Sequence, residues 1–323
     1  MSSASASSCA DRVGGWQPYI DGAALEQLVP MIDAIAALES ALQAPQLAQA
    51  PRSVTDVVAG QLLLMPAQST EQVGVKIAAV VPGNAVHGLD RIQSIYVLMD
   101  ARTLVPTALL DGVALTNLRT PAVSALATAR LAVPAADELV VFGAGPQAWG
   151  HVLAMRAVRP MLRRVRVVGR SAGRVEALLA RIHASGLNAE AAGPEAVADA
   201  DIVCTCTSAG EPLFDGALLP AHAHVVAMGS HLPNMREIDT STVRRAKVVV
   251  EERGAALREA GDLVLAIADG AIGKDHVCAD LRELIGGCNV DPRALTLFKS
   301  VGMAWEDLAV AGIAHERFRM SRP

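Results

Sequence analysis

Val140-Val141-Phe142-Gly143-Ala144-Gly145-Pro146-Gln147-Ala148-Trp149-Gly150 decides how this chain is read. An apolar run from Leu139 to Phe142 stops at Gly143, and a helix-compatible run begins after Gly145. Strand, glycine turn and helix entry in this order open a dinucleotide-binding βαβ unit. Gly143 permits the tight turn. Gly145 lets a pyrophosphate approach the backbone, and Pro146 and Gln147 begin a helix whose unpaired N–H groups favour anions. Ala148 takes the third position of the G-x-G-x-x-G pattern and still allows helix and strand to pack closely.

The next strand, Val165-Arg166-Val167-Val168, ends at Gly169-Arg170-Ser171. A ribose-binding acid is expected in this window, and none is present. Arg170 and Ser171 stand there, with Arg174 following. A carboxylate would repel a 2′-phosphate, whereas an arginine beside a hydroxyl binds it. The expected cofactor is NADPH, with NADH binding more weakly.

The 323 residues suggest two domains, or one large α/β unit with an addition. Hydrophobic residues make up 52% and aromatics 3%, so Ala, Val, Leu and Ile must fill the core. A net charge of -5 argues against a nucleic-acid surface. The five cysteines (Cys9, Cys204, Cys206, Cys278, Cys288) form no C-x-x-C pair and no metal spacing, so no metal site is expected, and Cys204 and Cys206, two apart in an expected strand, read as buried thiols. Met1 to Ala10 lacks the basic and apolar segments of a signal peptide, and no uncharged apolar run reaches the length of a membrane span. A cytoplasmic protein without a membrane partner is expected.

Upstream of the glycine turn, residues 1–24 read as a loose arm. Leu25 to Leu47 has helical spacing, with Leu28, Met31, Ile32, Ile35, Leu38 and Leu42 on one face, ended by Pro45 and Pro51. Residues 61–81 read as paired strands, and Lys76 interrupts the second one. A lysine there must find a partner, lose its charge, or point to solvent from an edge strand. Ser94 to Met99 and Leu104 to Leu110 read as another strand pair. Thr120 with Pro121 reads as a helix cap followed by a first-turn proline, placing Arg119 just before a helix N-terminus. Downstream, strands are expected at 202–205, 225–228 and 247–250, with ligand-facing ends at Thr207 and at Met228-Gly229-Ser230-His231. A last helix, running to about Phe318, is expected to return to the first domain.

With these residues in place the chain resembles the ornithine cyclodeaminase/mu-crystallin family. The resemblance runs from about Arg52 to Asp307. It rests on Pro51-Arg52, Met65-Pro66, Gly74-Val75-Lys76, Arg119-Thr120, the glycine turn, Gly229-Ser230-His231-Leu232-Pro233 with Arg236-Glu237, and Ser300-Val301-Gly302. It implies an α/β architecture: a Rossmann domain over 119–303, and a discontinuous α+β domain, 1–118 with 304–323, that binds substrate and forms a homodimer. It implies that Arg52 clamps the substrate carboxylate, that Lys76 reaches the substrate, and that Arg119 links the substrate and cofactor regions. Arg91, Thr120 and Ser300 fall among the positions that approach the cofactor.

One departure from the family pattern matters. Cyclodeaminases carry an aspartate shortly after the fourth-strand glycine. Here Ser230 and His231 stand in that place, and no acid occurs before Glu237. The reductase branch of the family also lacks that aspartate and favours NADPH. The expectation is therefore an NADPH-dependent reductase of cyclic imino acids, with Lys76 or His231 as proton donor. The alternatives are an ornithine or lysine cyclodeaminase with bound NAD, a linear-substrate enzyme such as alanine dehydrogenase, or a non-catalytic NADPH-dependent small-ligand binder.

Overall fold

The computed structural model describes residues 17–44 and 47–321. Most of the expected N-terminal arm, together with Cys9 and Pro45, lies outside them. The described residues form two sheets. The first contains β1 (Tyr19–Ile20), β2 (Ala48–Gln49), β3 (Ser53–Val57), β4 (Gly60–Gln68), β5 (Gln72–Val80), β6 (Ile92–Asp100) and β7 (Pro106–Asp111). Its order is β1-β7-β6-β5-β4-β2, with β3 also paired to β4, and every pairing except β1–β7 is antiparallel.

The second sheet contains β8 (Glu138–Phe142), β9 (Arg164–Val168), β10 (Asn188–Ala191), β11 (Ile202–Thr205), β12 (His224–Ala227), β13 (Lys247–Val250), β14 (Val277–Asp280) and β15 (Thr296–Lys299). All its strands are parallel, in the order β10-β9-β8-β11-β12-β15-β13-β14. From β10 to β12 this is the 3-2-1-4-5 order of a dinucleotide fold. It switches direction between β8 and β11, where such sheets bind ligands. The last strand, β15, enters between β12 and β13.

Ten helices among the described residues cover these sheets: α1 (Gly22–Leu28), α2 (Met31–Gln43), α3 (Gly112–Leu131), α4 (Pro146–Val158), α5 (Ala172–Ala184), α6 (Thr240–Arg245), α7 (Arg253–Glu259), α8 (Gly261–Ala268), α9 (Leu281–Ile285) and α10 (Ala304–Met320). Among the described residues no helix is long and apolar enough to cross a membrane. The final helix, α10, packs on α2, α3, β4 and β5, returning the chain to the first sheet as expected.

Three local expectations are corrected. The helix expected over Leu25 to Leu47 is two helices, because Pro30 has no N–H to donate and stands as the N-cap of α2. The strand expected from Leu104 starts at Pro106, because Leu104 closes the preceding turn at φ 55°. The third correction concerns α3, which does not begin at Thr120. Asp111 caps it nine residues earlier, accepting from Val113 N at 2.9 Å and Ala114 N at 3.0 Å. Pro121 is inside the helix, where it faces Gly150 of α4. A Cβ at Gly150 would lie 2.8 Å from Pro121 Cγ, so the missing side chain is what lets the two helices meet. Arg119 therefore sits mid-helix, not at an N-terminus, and the expected domain boundary at residue 119 falls inside α3.

Candidate active site

The glycine turn has the form its sequence predicts. Gly143 takes φ 110°, and a Cβ there would lie 2.5 Å from Cys206 O. Only glycine meets both constraints without strain. Gly145 is the N-cap of α4, no side chain caps that terminus, and a Cβ at Gly145 would meet nothing within 4 Å. An uncapped helix start beneath open space suits a phosphate. Arg170, Ser171 and Arg174 are exposed where β9 passes into α5.

The carboxyl ends of the parallel strands face the first sheet across one cleft. The parallel-sheet side contributes Gln147, Thr207, Met228, Gly229 and Ser300, and α3 contributes Thr116, Arg119 and Thr120. The opposing wall is Leu63, Met65, Lys76, Ala78 and Val80, with Arg52, Arg91 and His231 around it. Most of the residues expected to bind substrate or cofactor thus meet here. Ser230 does not line the cleft. It is buried, its hydroxyl donating to Met235 O at 2.6 Å while its carbonyl accepts from Lys299 Nζ at 2.6 Å.

Arg52 is held before it meets any ligand. Its Nε lies 3.1 Å from Glu259 Oε2, and its Nη2 donates to Val301 O at 2.9 Å and Gly302 O at 2.6 Å. Among the described residues its Nη1 has no hydrogen-bond partner. The loop that supplies those carbonyls is shaped by buried Glu251, which accepts from Ser300 Oγ at 2.6 Å and from Val301 N and Gly302 N at 2.8 Å each.

Lys76 is 3% exposed and faces the cleft rather than bulk solvent. Its Nζ lies 2.8 Å from Asp307 Oδ2 and donates to Asp307 Oδ1 at 3.0 Å and Thr116 Oγ1 at 3.3 Å. Burial and the adjacent Arg119 push its pKa down to about 8, against the pull of Asp307. Arg119 pairs with Glu306 at 2.5 Å and with Asp307 at 3.3 Å. Burial opposes its charge, but Asp307, Glu306 and Glu251 outweigh that and raise its pKa. Burial and the nearby Glu251 push the Glu306 carboxyl well above the usual carboxylate range, against the pull of Arg119.

His231 lines the cleft, but its surroundings do not suit it as a proton donor. Burial, then the positive Arg52, Lys299 and Arg91, lower its pKa to about 4. At pH 7 it carries no ionisable proton to give.

Sequence reading gave no role to the carboxylates behind the site. Glu306 and Asp307 lie where the resemblance ends, and nothing local ties them to Arg119 or Lys76. Glu237 is a further one. It is fully buried and accepts from Thr205 Oγ1, Thr207 N, Thr207 Oγ1 and Gly229 N within 2.7–2.9 Å. It thereby ties together the ends of β11 and β12. Among the described residues no group of three His, Cys, Asp or Glu side chains converges as a metal site.

The sequence matches the ornithine cyclodeaminase/mu-crystallin family model over residues 21–322. It is 36% identical over 262 residues to a Δ1-pyrroline-2-carboxylate reductase of Colwellia psychrerythraea, covering 77% of this chain and 81% of that protein. It is 33% identical over 260 residues to the ketimine reductase mu-crystallin of Mus musculus, covering 80% of each. The fold superposes with a TM-score of 0.90 on the Δ1-pyrroline-2-carboxylate reductase of Thermococcus litoralis solved with NADH and L-proline. That match has 29% identity and covers 94% of this chain and 98% of the other. With the glycine turn, the opposed Arg52 and Lys76, and a family match spanning nearly all described residues, the chain belongs to the ornithine cyclodeaminase/mu-crystallin family.

Proposed function

We propose that this chain is an NADPH-dependent reductase of cyclic imino acids, taking Δ1-pyrroline-2-carboxylate to L-proline and Δ1-piperideine-2-carboxylate to L-pipecolate. One observation carries the reading. The cleft is lined by Arg52, Lys76, Arg91 and Arg119, and among the described residues by no carboxylate. An imino acid brings an anion that needs cations, and a C=N bond that needs a proton on nitrogen and a hydride on carbon. A cyclodeaminase must also draw protons from an amine, and neither Ser230 nor His231, with its pKa near 4, is a competent base for that. The reductase names of the relatives described above support the same choice.

In this reading Arg52 meets the substrate carboxylate through Nη1, the nitrogen its protein partners leave free. Fixing the carboxylate fixes the imine carbon for attack. Lys76 supplies the proton to the substrate nitrogen. The nicotinamide, when bound, supplies the hydride. Gly143, Gly145, Pro146 and Gln147 would hold the pyrophosphate, with Arg119, Thr120, Thr207, Met228, Gly229 and Ser300 around the nicotinamide end. Arg170, Ser171 and Arg174 would take a 2′-phosphate, which favours NADPH over NADH.

We read the protein as a cytoplasmic homodimer, with 1–118 and 304–323 as substrate-binding and dimerising unit and 119–303 as cofactor unit. The outer face of the first sheet supports the dimer. Leu62 and Leu64 are exposed there, beside half-buried Val75, Ile77, Ile95 and Val97. A broad apolar sheet face of this kind is suited to a second copy.

The test is a panel of cyclic imino acids, and of keto acids with ammonia, each followed by NADPH absorbance. A parallel incubation with L-ornithine and NAD is assayed for ammonia. NADPH oxidation with pyrroline-2-carboxylate and negligible ammonia from ornithine are expected. Deamination at a comparable rate overturns the reading.

A further inference from the structure

The chain has four lysines, and two of them, Lys76 and Lys299, are buried against buried aspartates. Lys299 lies 2.7 Å from Asp262 and spends a second N–H on Ser230 O, a pairing that braces the end of β12. Lys76 differs because it lines the cleft. Its partner Asp307, in the first turn of α10, does two things at once. Its Oδ1 lies 3.0 Å from Lys76 Nζ and 3.3 Å from Arg119 Nε, while its Oδ2 lies 2.8 Å from Lys76 Nζ. One carboxylate therefore bridges two buried cations, from β5 and α3, that repel each other.

The groups around Lys76 leave no substitute for it. Arg119 and Thr116 face it from α3, Asp307 and Glu306 from α10, and Met65 and Tyr96 are its register neighbours on β4 and β6. Tyr96 is buried and its pKa is raised by that burial and by Asp307, so it is neutral. Glu306 is engaged by Arg119 at 2.5 Å, which leaves Asp307 as the carboxylate in contact with the ammonium. An ammonium has three N–H bonds. Asp307 and Thr116 occupy two directions, and the third is free for the cleft.

Resting on the imine-reductase reading, we propose that Asp307 is the positioning residue of the proton-donating lysine, holding the Lys76 ammonium at the cleft wall and separating it from Arg119. In the step it serves, hydride from a reduced nicotinamide adds to the imine carbon and the C=N π pair moves onto nitrogen. That nitrogen takes a proton from Lys76 as the Lys76 N–H bond breaks. Lys76 is left neutral and regains its proton from solvent.

The experiment uses the full chain labelled with 13C at the lysine ε-carbon, in which the Lys76 signal is assigned by its loss in Lys76→Met. The wild-type signal is expected to titrate near pH 8. In Asp307→Asn the midpoint should fall by about 1–3 pH units, the usual effect of losing an adjacent opposite charge. The alkaline limb of kcat/KM should move with it, while the KM for NADPH stays unchanged. An unmoved midpoint or limb in the folded variant overturns the proposal. If Asp307→Asn does not fold, Asp307→Glu keeps the charge and displaces it. It should leave the midpoint near that of the wild type and lower kcat, and an unchanged kcat overturns the proposal. The NMR readout needs no substrate. A shifted Lys76 in a protein that reduces no imine would refute the reaction and keep the positioning role.

Discussion

Glu259, the last residue of α7, holds Arg52 by its Nε at 3.1 Å, so the expected substrate clamp is tied to the parallel-sheet half of the molecule before any ligand arrives. With Nη2 also committed to Val301 and Gly302, the carboxylate meets Nη1 rather than an open fork. Arg52→Lys removes the Nε and Nη2 anchors as well as the shape. Its KM for the imino acid should rise by roughly 10- to 100-fold, the worth of a charge-assisted contact. The Kd for NADPH, measured by fluorescence, should not change. Glu259→Ala leaves the guanidinium in place but looser, and its KM effect should stay below about fivefold. Equal effects of the two variants would count against this arrangement.

The pH dependence follows from two shifts. Lys76 must be protonated to act, and its pKa of about 8 lies below that of free lysine. The rate constant kcat/KM should therefore fall as pH rises through about 8, where the ammonium is lost. His231, near 4, is neutral on both sides of that limb. His231→Gln should leave the limb in place, which a pH–rate profile of the two proteins checks.

Arg170 is exposed and stands at the end of β9, where a 2′-phosphate would lie. Arg170→Asp should lower the preference for NADPH over NADH by roughly 10- to 100-fold. Comparing kcat/KM for the two cofactors in wild type and variant measures it. Equal values in the wild type would remove Arg170 from the cofactor site.

Gly74 makes room for the buried Tyr96. A Cβ there would lie 2.0 Å from Tyr96 Oη and 2.7 Å from its Cε1. Gly74→Ala should cost about 1–3 kcal/mol, the usual range for overpacking. Tyr96→Phe should restore part of that in the double variant, because only the oxygen clash is removed. Thermal melts of the four proteins form the cycle.

The glycine turn was legible because its constraints are local. Gly143 needs a positive φ, and Gly145 needs open space above a helix start. Lys76 was legible as an anomaly, a charge within an apolar strand, but its resolution was not. Asp307 lies 231 positions away and reaches Lys76 only because α10 folds back onto β5. Glu306 and Arg119 are separated by 187 positions for the same reason. Pro121 misled because cap rules describe an isolated helix. Here the start was set by Asp111, and the proline was accommodated by a glycine on a neighbouring helix. His231 misled because its ordinary pKa holds only in water, and it sits among cations that the sequence scatters.

The unbroken run of α3 constrains how the molecule can come apart. Its first half packs on β6 and β7 of the antiparallel sheet, and its later residues lie against β12 and β15 of the parallel one. A rod shared by both sheets leaves no hinge at that point about which one could melt while the other stays intact. Calorimetry should therefore record a single cooperative transition, with calorimetric and van't Hoff enthalpies in agreement, rather than two independent ones.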